Sequence, residues 1–297
     1  INRFARFNHY VNRVKVSHRE KIYSFPINLF TLYQVFGVKT PQEAIACLEK
    51  KKIPIVKPKN MEEWCLANIG REIYEIFIEG YSTKQWDKHP RDLPASIIRR
   101  IPMRLNFDDN YFNDRYQGIP IGGYTSIFEK MLEGIPLELN VDFHKERDFF
   151  LRKFDQVIFT GPIDSFFDYS LGHLEYRSLR FDHQVLNSPD YQGNAVFNHT
   201  EAIVPYTRTY EHKHFDLNYS ATKTAITFEY PEKWTPGKIE IYPVNTDENQ
   251  NLFLKYQAYA KDLPKVTFGG RLGQYRYYDM HQVIGAALEK VKFLTQS

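Results

Sequence analysis

Glycine, proline and cysteine are scarce in this sequence, at 15, 16 and 2 of 297 residues. The low glycine and proline content excludes collagen-like chains and chains made mostly of linkers. Cys47 and Cys65 cannot form the disulfide framework of a small secreted domain, so we expect two free thiols in a reducing cytosol. No apolar run approaches the roughly 18 residues of a membrane span, and the basic, aromatic start lacks the apolar segment of a signal peptide. We therefore predict a cytoplasmic protein without a membrane span.

An excess of charge of one sign is also lacking. The 39 Lys and Arg residues stand against 36 Asp and Glu residues, which leaves a net charge of +3. Because proteins that coat nucleic acid carry a much larger basic excess, we predict no nucleic-acid partner. A hydrophobic fraction of 42% with 25% charged residues is typical of a globular protein, and aromatic residues are abundant at 16%.

Most short motifs that identify an enzyme are missing. The sequence has no Gly-x-Gly turn for a dinucleotide, no P-loop and no G-x-S-x-G nucleophile motif. His212 and His214 would point to one side of a strand. No cysteine or acidic partner is recognised at ligand spacing, however, so we predict no metal site.

The first third of the chain has a helical pattern after an initial hairpin. In residues 11–28, apolar residues occupy alternate positions on both sides of a polar turn, as in a β-hairpin. Residues 30–101 follow as a helical module, in which Thr40 caps a helix, with Glu43 completing a capping box, and Asn60 caps the next.

The remainder combines an α/β layer with an antiparallel sheet. Residues 137–143 are a short strand candidate, and residues 157–164 resemble the end of a buried parallel strand. Residues 174–231 are rich in alternating strands. The strand VTFGG then leads towards a long helix that begins near Met280.

Three parts of the chain are unusually rich in Arg and Tyr: residues 80–86 with 97–124, residues 198–215, and residues 268–288. Arg makes forked, charge-assisted bonds to phosphate, while Tyr offers a ring face for a base and a hydroxyl for a phosphate oxygen. The last part enters a helix whose N-terminus presents backbone N–H groups to an anion. The alternatives are a solvated basic loop with packed tyrosines, an Arg stacked on Tyr in a sheet, and Asp279 as a simple helix N-cap. Composition and spacing therefore favour an anion or nucleotide pocket without specifying a reaction.

Seven strings occur together, and in the same order, in one known family. They are GYSTKQW, RIPMRLNFDDNYFNDRYQGIPIGGYT, TGPIDSFFDY, LEYRSLRF, PYTRTYEHKHF, YPVN and GGRLGQYRYYDMHQVI. From residue 2 to about residue 292, the sequence closely resembles the bacterial UDP-galactopyranose mutases, which are FAD-dependent. Two positions depart from the family pattern: Ser82 replaces a Thr, and Ile78 replaces an aromatic residue.

The resemblance implies an α/β fold with an FAD-binding Rossmann-like domain, a helical bundle domain and a twisted antiparallel β-sheet domain. The implied segments are a hairpin entry (1–28), a helical bundle with a mobile substrate loop (29–110), part of the FAD-binding domain (111–165), the sheet domain (166–262) and the C-terminal part of the FAD-binding domain (263–297). The family's N-terminal βαβ unit, which holds the Gly-rich turn for the FAD pyrophosphate, has no counterpart here. We therefore expect an N-terminally truncated chain.

The activity that the resemblance implies is the interconversion of UDP-galactopyranose and UDP-galactofuranose. In the family, the N5 atom of reduced FAD attacks the anomeric carbon of the sugar and displaces UDP, so that the cofactor does the covalent work. The product supplies galactofuranose for cell-wall and lipopolysaccharide biogenesis, and a homodimer is expected. UDP-galactose or its N-acetyl analogue is the implied substrate. The alternative is a catalytically incompetent nucleotide-sugar-binding fragment that lacks the FAD pyrophosphate site.

The resemblance also implies roles for individual residues. The catalytic residues are two arginines that hold the diphosphate, Arg100 on the mobile loop and Arg208 opposite it. The substrate-binding residues are Asn12, Phe77, Tyr81, Trp86, Tyr111, Asn198, Tyr242, Tyr277 and Asp279. The cofactor-binding residues are Arg271, Tyr277, Asp279 and Met280. Among these, Tyr81 stacks on uracil, Tyr111 bonds a phosphate, and Met280 offers its backbone N–H to the flavin.

Overall fold

The computed structural model describes residues 1–99, 102–216 and 222–296. The described residues form strands β1 (Lys15–His18), β2 (Lys21–Ser24), β3 (Val157–Phe159), β4 (Tyr176–Leu186), β5 (Val196–His199), β6 (Arg208–Glu211), β7 (Thr224–Lys233), β8 (Tyr242–Pro243) and β9 (Val266–Phe268). This mixed α/β fold with mostly antiparallel strands confirms the predicted class in outline.

Helices connect and cover these strands. They are α1 (Leu29–Phe36), α2 (Pro41–Lys51), α3 (Met61–Asn68), α4 (Arg71–Tyr74), α5 (Gly80–Trp86), α6 (Ser96–Arg99), α7 (Thr125–Met131), α8 (Arg147–Lys153), α9 (Ile163–Phe166), α10 (Asp247–Ala260), α11 (Gly270–Gly273) and α12 (Met280–Gln296). A π-helical turn occupies Glu75–Glu79, and 3-10 turns occupy Pro90–Asp92 and His212–Phe215. None of the described helices combines the length and the hydropathy that crossing a membrane requires.

The chain divides into two compact units. Unit 1 comprises Ile1–Pro136 and Leu179–Pro231, and unit 2 comprises Leu137–Ser178 and Glu232–Ser297. The five segments implied by the resemblance stay a prediction.

The sheet of unit 1 has the strand order β2-β1-β5-β6-β7-β4. β1 pairs in parallel with β5, whereas the β1–β2, β5–β6 and β6–β7 pairs are antiparallel. The β1–β2 pair confirms the predicted hairpin. Arg19 and Glu20 form its turn with positive φ angles of 47° and 61°, as a two-residue turn matched to the twist of the strands requires.

The predicted helix caps of unit 1 are confirmed with one change. The Thr40 hydroxyl accepts the backbone N–H of Glu43, and the Asn60 side chain accepts that of Glu63. The Glu43 carboxylate, however, accepts the N–H of Lys39 at 2.7 Å, so the predicted capping box at Thr40 is wrong in its second half. The carboxylate reaches one residue further back along the chain than the box requires.

In the core of unit 1, one long helix packs against the hairpin and β5. This helix runs without a break through α4, the π-helical turn and α5. Ile73 and Phe77 are buried in the core, and the Phe77 ring lies 5.4 Å from that of Tyr23 and 6.1 Å from that of Phe25. Tyr81 follows the π turn by two residues and is half-buried, outside the cluster of core residues that contains Phe77.

Unit 2 contains the parallel pair β3–β9, with α10 and α12 in the same part of the chain. Its core is strongly aromatic and includes Tyr176, Tyr256 and Tyr275. The parallel pairing of β3 confirms that part of the prediction for residues 157–164, whereas Ile158 is 56% exposed, so the predicted burial is wrong at this residue. The strand predicted at residues 137–143 is also wrong, because these described residues pair with no strand and Leu137 and Leu139 are exposed.

Candidate functional site

Arg208 begins β6 and lies opposite Glu229 of β7 in the antiparallel register. Its Nη1 atom donates to the Glu229 carboxylate at 3.4 Å and lies 3.3 Å from the Tyr210 hydroxyl oxygen. Glu229 is only 2% exposed and also accepts the hydroxyl groups of Tyr210 and Thr207. A buried carboxylate with these partners holds the guanidinium in one orientation on a rigid strand.

Strand periodicity explains why these groups meet. Tyr210 is two residues beyond Arg208, so both side chains leave β6 on the same face. Burial raises the pKa of Tyr210 above its usual value, so its hydroxyl keeps the proton that it donates to Glu229.

Glu229 is a residue that the sequence reasoning missed. The available signal was a lone Glu within the β-branched and aromatic run TAITFEY. The segment between β6 and β7, residues 212–223, is too long for a tight turn to set the strand register, so the sequence does not show that Glu229 faces Arg208.

Two polar atoms near Arg208 lack hydrogen-bond partners among the described residues. The Tyr81 ring lies 5.7 Å from the Arg208 guanidinium, and its buried hydroxyl is one of them. Burial raises the pKa of Tyr81 well above its usual value despite the opposing Arg208 charge, so the group is a neutral hydroxyl. The other is the buried Oδ1 atom of Asn198, a residue that lies directly opposite Arg208 in the register of β5 and β6. Since buried polar groups are normally satisfied, the pair favours a polar ligand beside Arg208.

Other predicted substrate residues lie in unit 1. The backbone carbonyl of Asn12 accepts the N–H of Tyr111 at 2.8 Å, and the Tyr111 ring lies 6.1 Å from that of Phe25. Phe77 is 2% exposed and packs in the hydrophobic core, and Trp86 is half-buried against the same core. The structure therefore brings Asn12 and Tyr111 together, and it gives Phe77 the surroundings of a core residue.

Arg100, the predicted mobile-loop arginine, lies outside the described residues. Its role stays a prediction.

The predicted cofactor residues form a second group, in unit 2. Arg271 donates from Nη1 to the carbonyl of Ile241 at 3.0 Å and from Nη2 to the carbonyl of Tyr278 at 2.6 Å. Its guanidinium lies 4.8 Å from the ring of Tyr277 and 5.7 Å from that of Tyr242. These two rings stack on each other with centroids 5.6 Å apart. Arg271 is thus fixed by backbone carbonyls and presents its charge to an aromatic pair.

Helix α12 begins next to this group. The backbone carbonyl of Asp279 accepts the N–H groups of Gln282 and Val283. The backbone N–H of Asp279 donates to the Gln282 side chain at 2.8 Å. Asp279 is therefore the N-cap residue of α12 by its backbone bonds, while the first N–H groups of the helix, including that of Met280, have no intrahelical acceptor. These groups and Arg271 provide positive potential for an anion.

Glycines shape the chain at the carboxyl ends of the two parallel strands. A Cβ atom at Gly273 would lie 3.0 Å from the carbonyl oxygen of Phe159, and one at Gly161 would lie 2.7 Å from the Phe159 ring. The turn after β9 can therefore approach β3 closely. In α/β sheets, nucleotide cofactors bind at this end of parallel strands, so the residues present in unit 2 fit one end of such a cofactor.

The predicted placement of the two histidines is wrong. His212 and His214 lie on a 3-10 turn after β6, not on a strand. His214 lies near Asp190 and Glu211, with possible ligand atoms within 4.8 Å of one another. The Lys213 ammonium lies 2.7 Å from Asp190, and Glu211 accepts the backbone N–H groups of residues 191 and 192. These contacts explain the cluster as a structural link between residues 190–192 and the end of β6 with its following turn.

His199, at the end of β5, makes the stability of unit 1 depend on pH. Burial, followed by the nearby Lys84 charge, lowers the pKa of His199 to about 4. Because an unfolded histidine titrates near 6.5, unfolding takes up a proton between pH 6.5 and 4, and stability falls as the pH falls through this range. We expect His199 to lower the free energy of unfolding by about 2 kcal/mol when the pH falls from 7.5 to 5. The measurement is urea unfolding of the wild type and of His199→Gln at both pH values.

In His199→Gln, the loss of stability on acidification should be smaller by about that amount. His281 on α12 is exposed, so His281→Gln is the matched control and should keep the wild-type pH dependence. An unchanged pH dependence in His199→Gln would contradict the assignment.

Comparison with known proteins identifies the family. The family model described as UDP-galactopyranose mutase matches residues 76–277. A probable UDP-galactopyranose mutase of Klebsiella pneumoniae is 40% identical over 294 residues, which cover 97% of this chain and 75% of that protein. A dTDP-fucopyranose mutase of Escherichia coli is 36% identical over 296 residues, covering 97% of this chain and 78% of that protein.

The fold is also similar to that of a solved structure. The crystal structure of a reduced UDP-galactopyranose mutase superposes with a TM-score of 0.61 at 15% identity, covering 92% of this chain and 78% of that one. At this identity the likeness concerns the fold alone. Taken with the family match across residues 76–277 and the 40% identical relative, it leads to one assignment: the chain belongs to the UDP-galactopyranose mutase family of isomerases.

Proposed function

We propose that the protein interconverts UDP-galactopyranose and UDP-galactofuranose, with FAD in its reduced form as cofactor. The observation that carries the proposal is the arginine site of unit 1. There, Arg208 is fixed by the buried Glu229 and lies beside the Tyr81 hydroxyl and the Asn198 side-chain oxygen, neither of which has a hydrogen-bond partner among the described residues. A fixed guanidinium next to a ring and two unsatisfied polar atoms suits a nucleoside diphosphate.

In this proposal Arg208 binds the diphosphate, and Arg100, which lies outside the described residues, is its predicted partner. The bond between the anomeric carbon and the β-phosphate oxygen breaks during the reaction and forms again afterwards. Negative charge develops on the departing UDP, and a guanidinium that is already oriented stabilises it without reorganisation. Glu229 provides that orientation.

Tyr81 stacks on the uracil ring, and Asn198 accepts a hydrogen bond from the ligand. The roles of Asn12, Phe77, Trp86 and Tyr111 on the substrate side stay proposals. The same holds for Tyr242, Tyr277 and Asp279 of unit 2.

The FAD proposal rests on the chemistry of the unit 2 residues. Arg271 carries a fixed positive charge, Tyr277 offers a ring face, and Met280 offers a backbone N–H at the start of α12. Positive potential suits the carbonyl end of a flavin and the negative charge of its reduced form. When bound and reduced, the flavin supplies the nucleophile, its N5 atom, for the anomeric carbon. The covalent step then needs no side-chain nucleophile.

The direct test is a mutase assay on the protein reduced with dithionite. With UDP-galactofuranose as substrate, we expect UDP-galactopyranose to appear, as followed by anion-exchange chromatography. A parallel reaction with dTDP-fucofuranose decides between the nucleotide sugars named for the two relatives. No conversion of either compound would contradict a mutase function, and conversion of only the second would correct the substrate.

The visible spectrum provides the control for the cofactor. A purified protein with stoichiometric flavin absorbance, bleached by dithionite, is expected if the cofactor proposal holds. A colourless protein that still binds UDP would instead support the alternative of a nucleotide-sugar-binding fragment. The supply of galactofuranose to the cell surface, the cytoplasmic location and the homodimer stay predictions.

A further inference from the structure

The side chain of Lys84, on α5, connects this helix to the loop between β5 and β6. Its ammonium group donates to three backbone carbonyls, that of His199 at the end of β5 at 2.8 Å and those of Val204 at 2.9 Å and Tyr206 at 3.0 Å in the loop. An ammonium has three N–H donors, and these three acceptors all come from one short segment. Burial lowers the pKa of Lys84 to about 8, so the group is charged at neutral pH.

The same helix approaches the same loop at a second point. A Cβ atom at Gly80, the first residue of α5, would lie 2.1 Å from the backbone carbonyl oxygen of Thr200. A side chain therefore cannot be placed at residue 80 without moving backbone. Gly80 and Lys84 are one helical turn apart and face the loop together.

These two contacts enclose a residue of the proposed substrate site. Tyr81 lies between Gly80 and Lys84 on α5, and the loop leads directly from Asn198 on β5 to Arg208 on β6. The distance between Tyr81 and Arg208 therefore depends on how α5 is held against the loop.

We infer that Gly80 and Lys84 form a clamp that positions Tyr81 relative to Arg208, and that Lys84 is a positioning residue for the nucleoside diphosphate. The clamp is defined as the approach of Gly80 to Thr200 together with the three bonds of Lys84. The inference rests on the proposed function, because it assigns Tyr81 and Arg208 to one ligand. It requires no contact between Lys84 and the ligand.

The test compares Lys84→Met, which keeps the length of the side chain but removes its charge, with Lys84→Arg, which keeps the charge. The probe is UDP alone, measured by calorimetry, and hydrogen–deuterium exchange reports on residues 199–207. In Lys84→Met we expect UDP to bind at least tenfold more weakly and these amides to exchange at least tenfold faster. Lys84→Arg should stay within threefold of the wild type in both. Lys50→Met, an exposed lysine on α2, is the control and should change neither.

A merely structural role would accelerate exchange throughout unit 1, including the β1–β2 hairpin, and Lys84→Arg would not restore UDP binding. Unchanged UDP affinity in Lys84→Met, or unchanged exchange at residues 199–207, would overturn the clamp.

Gly80→Ala is a second test variant, which keeps the Lys84 charge, and it should also weaken UDP binding. If Lys84→Met does not fold, an unaltered UDP affinity in Gly80→Ala would overturn the clamp. A wild-type protein that does not bind UDP would refute the proposed function instead, while the exchange data still report on the clamp.

Discussion

Replacing Arg208 with alanine is expected to lower kcat/KM for the mutase reaction by on the order of 100-fold or more. Each charge-assisted bond from a guanidinium to phosphate contributes about 1.5–3 kcal/mol, and a forked arginine makes two. Since about 1.4 kcal/mol corresponds to a factor of ten, the loss of both bonds exceeds 100-fold. The measurement is steady-state kinetics of the dithionite-reduced protein with UDP-galactofuranose.

The matched control for this variant is Arg180→Ala. Arg180 also lies on a strand of unit 1 and stacks on an aromatic ring, that of Tyr230 at 3.9 Å, but it is not one of the residues proposed to bind the substrate or the cofactor. Its kcat/KM should stay within about threefold of the wild type, a change of less than 1 kcal/mol. An Arg208→Ala variant within the same range would refute the assignment of Arg208 as the diphosphate ligand.

Replacing Glu229 with glutamine is expected to destabilise the fold by about 3 kcal/mol. Removing one member of a buried ion pair leaves the other charge uncompensated, and such changes cost about 3–5 kcal/mol. We take the lower end because the side chain of Arg208 is 23% exposed, whereas that of Glu229 is 2% exposed. The melting temperature should fall by about 5 °C, which differential scanning calorimetry measures.

A double variant separates stability from catalysis at this pair. In Arg208→Gln with Glu229→Gln, no charge is left without a partner, so the melting temperature should be higher than that of Glu229→Gln. The kcat/KM value should nevertheless stay as low as that of Arg208→Ala, because the guanidinium is gone. If the effects of the two single changes on the melting temperature simply add, Arg208 and Glu229 do not form the coupled pair described here.

The local structure of this chain was largely readable from its sequence. The hairpin of residues 11–28, the caps at Thr40 and Asn60, and the helix that begins at Met280 depend on short-range patterns, and the structure confirms them. The failures have a common origin in longer-range contacts. The strand predicted at residues 137–143 has the alternation of a strand but no partner strand among the described residues, and alternation alone does not form a ladder.

The candidate site could be predicted only in part. Arginines and tyrosines within distinctive strings identified the family and named Arg208 and Tyr81, because those strings are long and specific. Glu229 was missed, since a single carboxylate in a strand has no spacing signal of its own. The structure shows Phe77, a predicted substrate residue, buried in the core, where it packs on Phe25, and its role in binding stays a prediction.

The family strings in the sequence were enough to predict the fold class and the proposed chemistry. The aromatic excess and the lack of glycine turns are visible in the sequence alone. Only the tertiary structure decided which groups are neighbours. The register of β6 and β7 places Glu229 opposite Arg208, and the packing of α5 places the Tyr81 ring 5.7 Å from the Arg208 guanidinium. Lys84 meets three carbonyls that are more than a hundred residues away in the chain. Such contacts depend on strand pairing and helix packing across long separations, and local sequence patterns do not encode them.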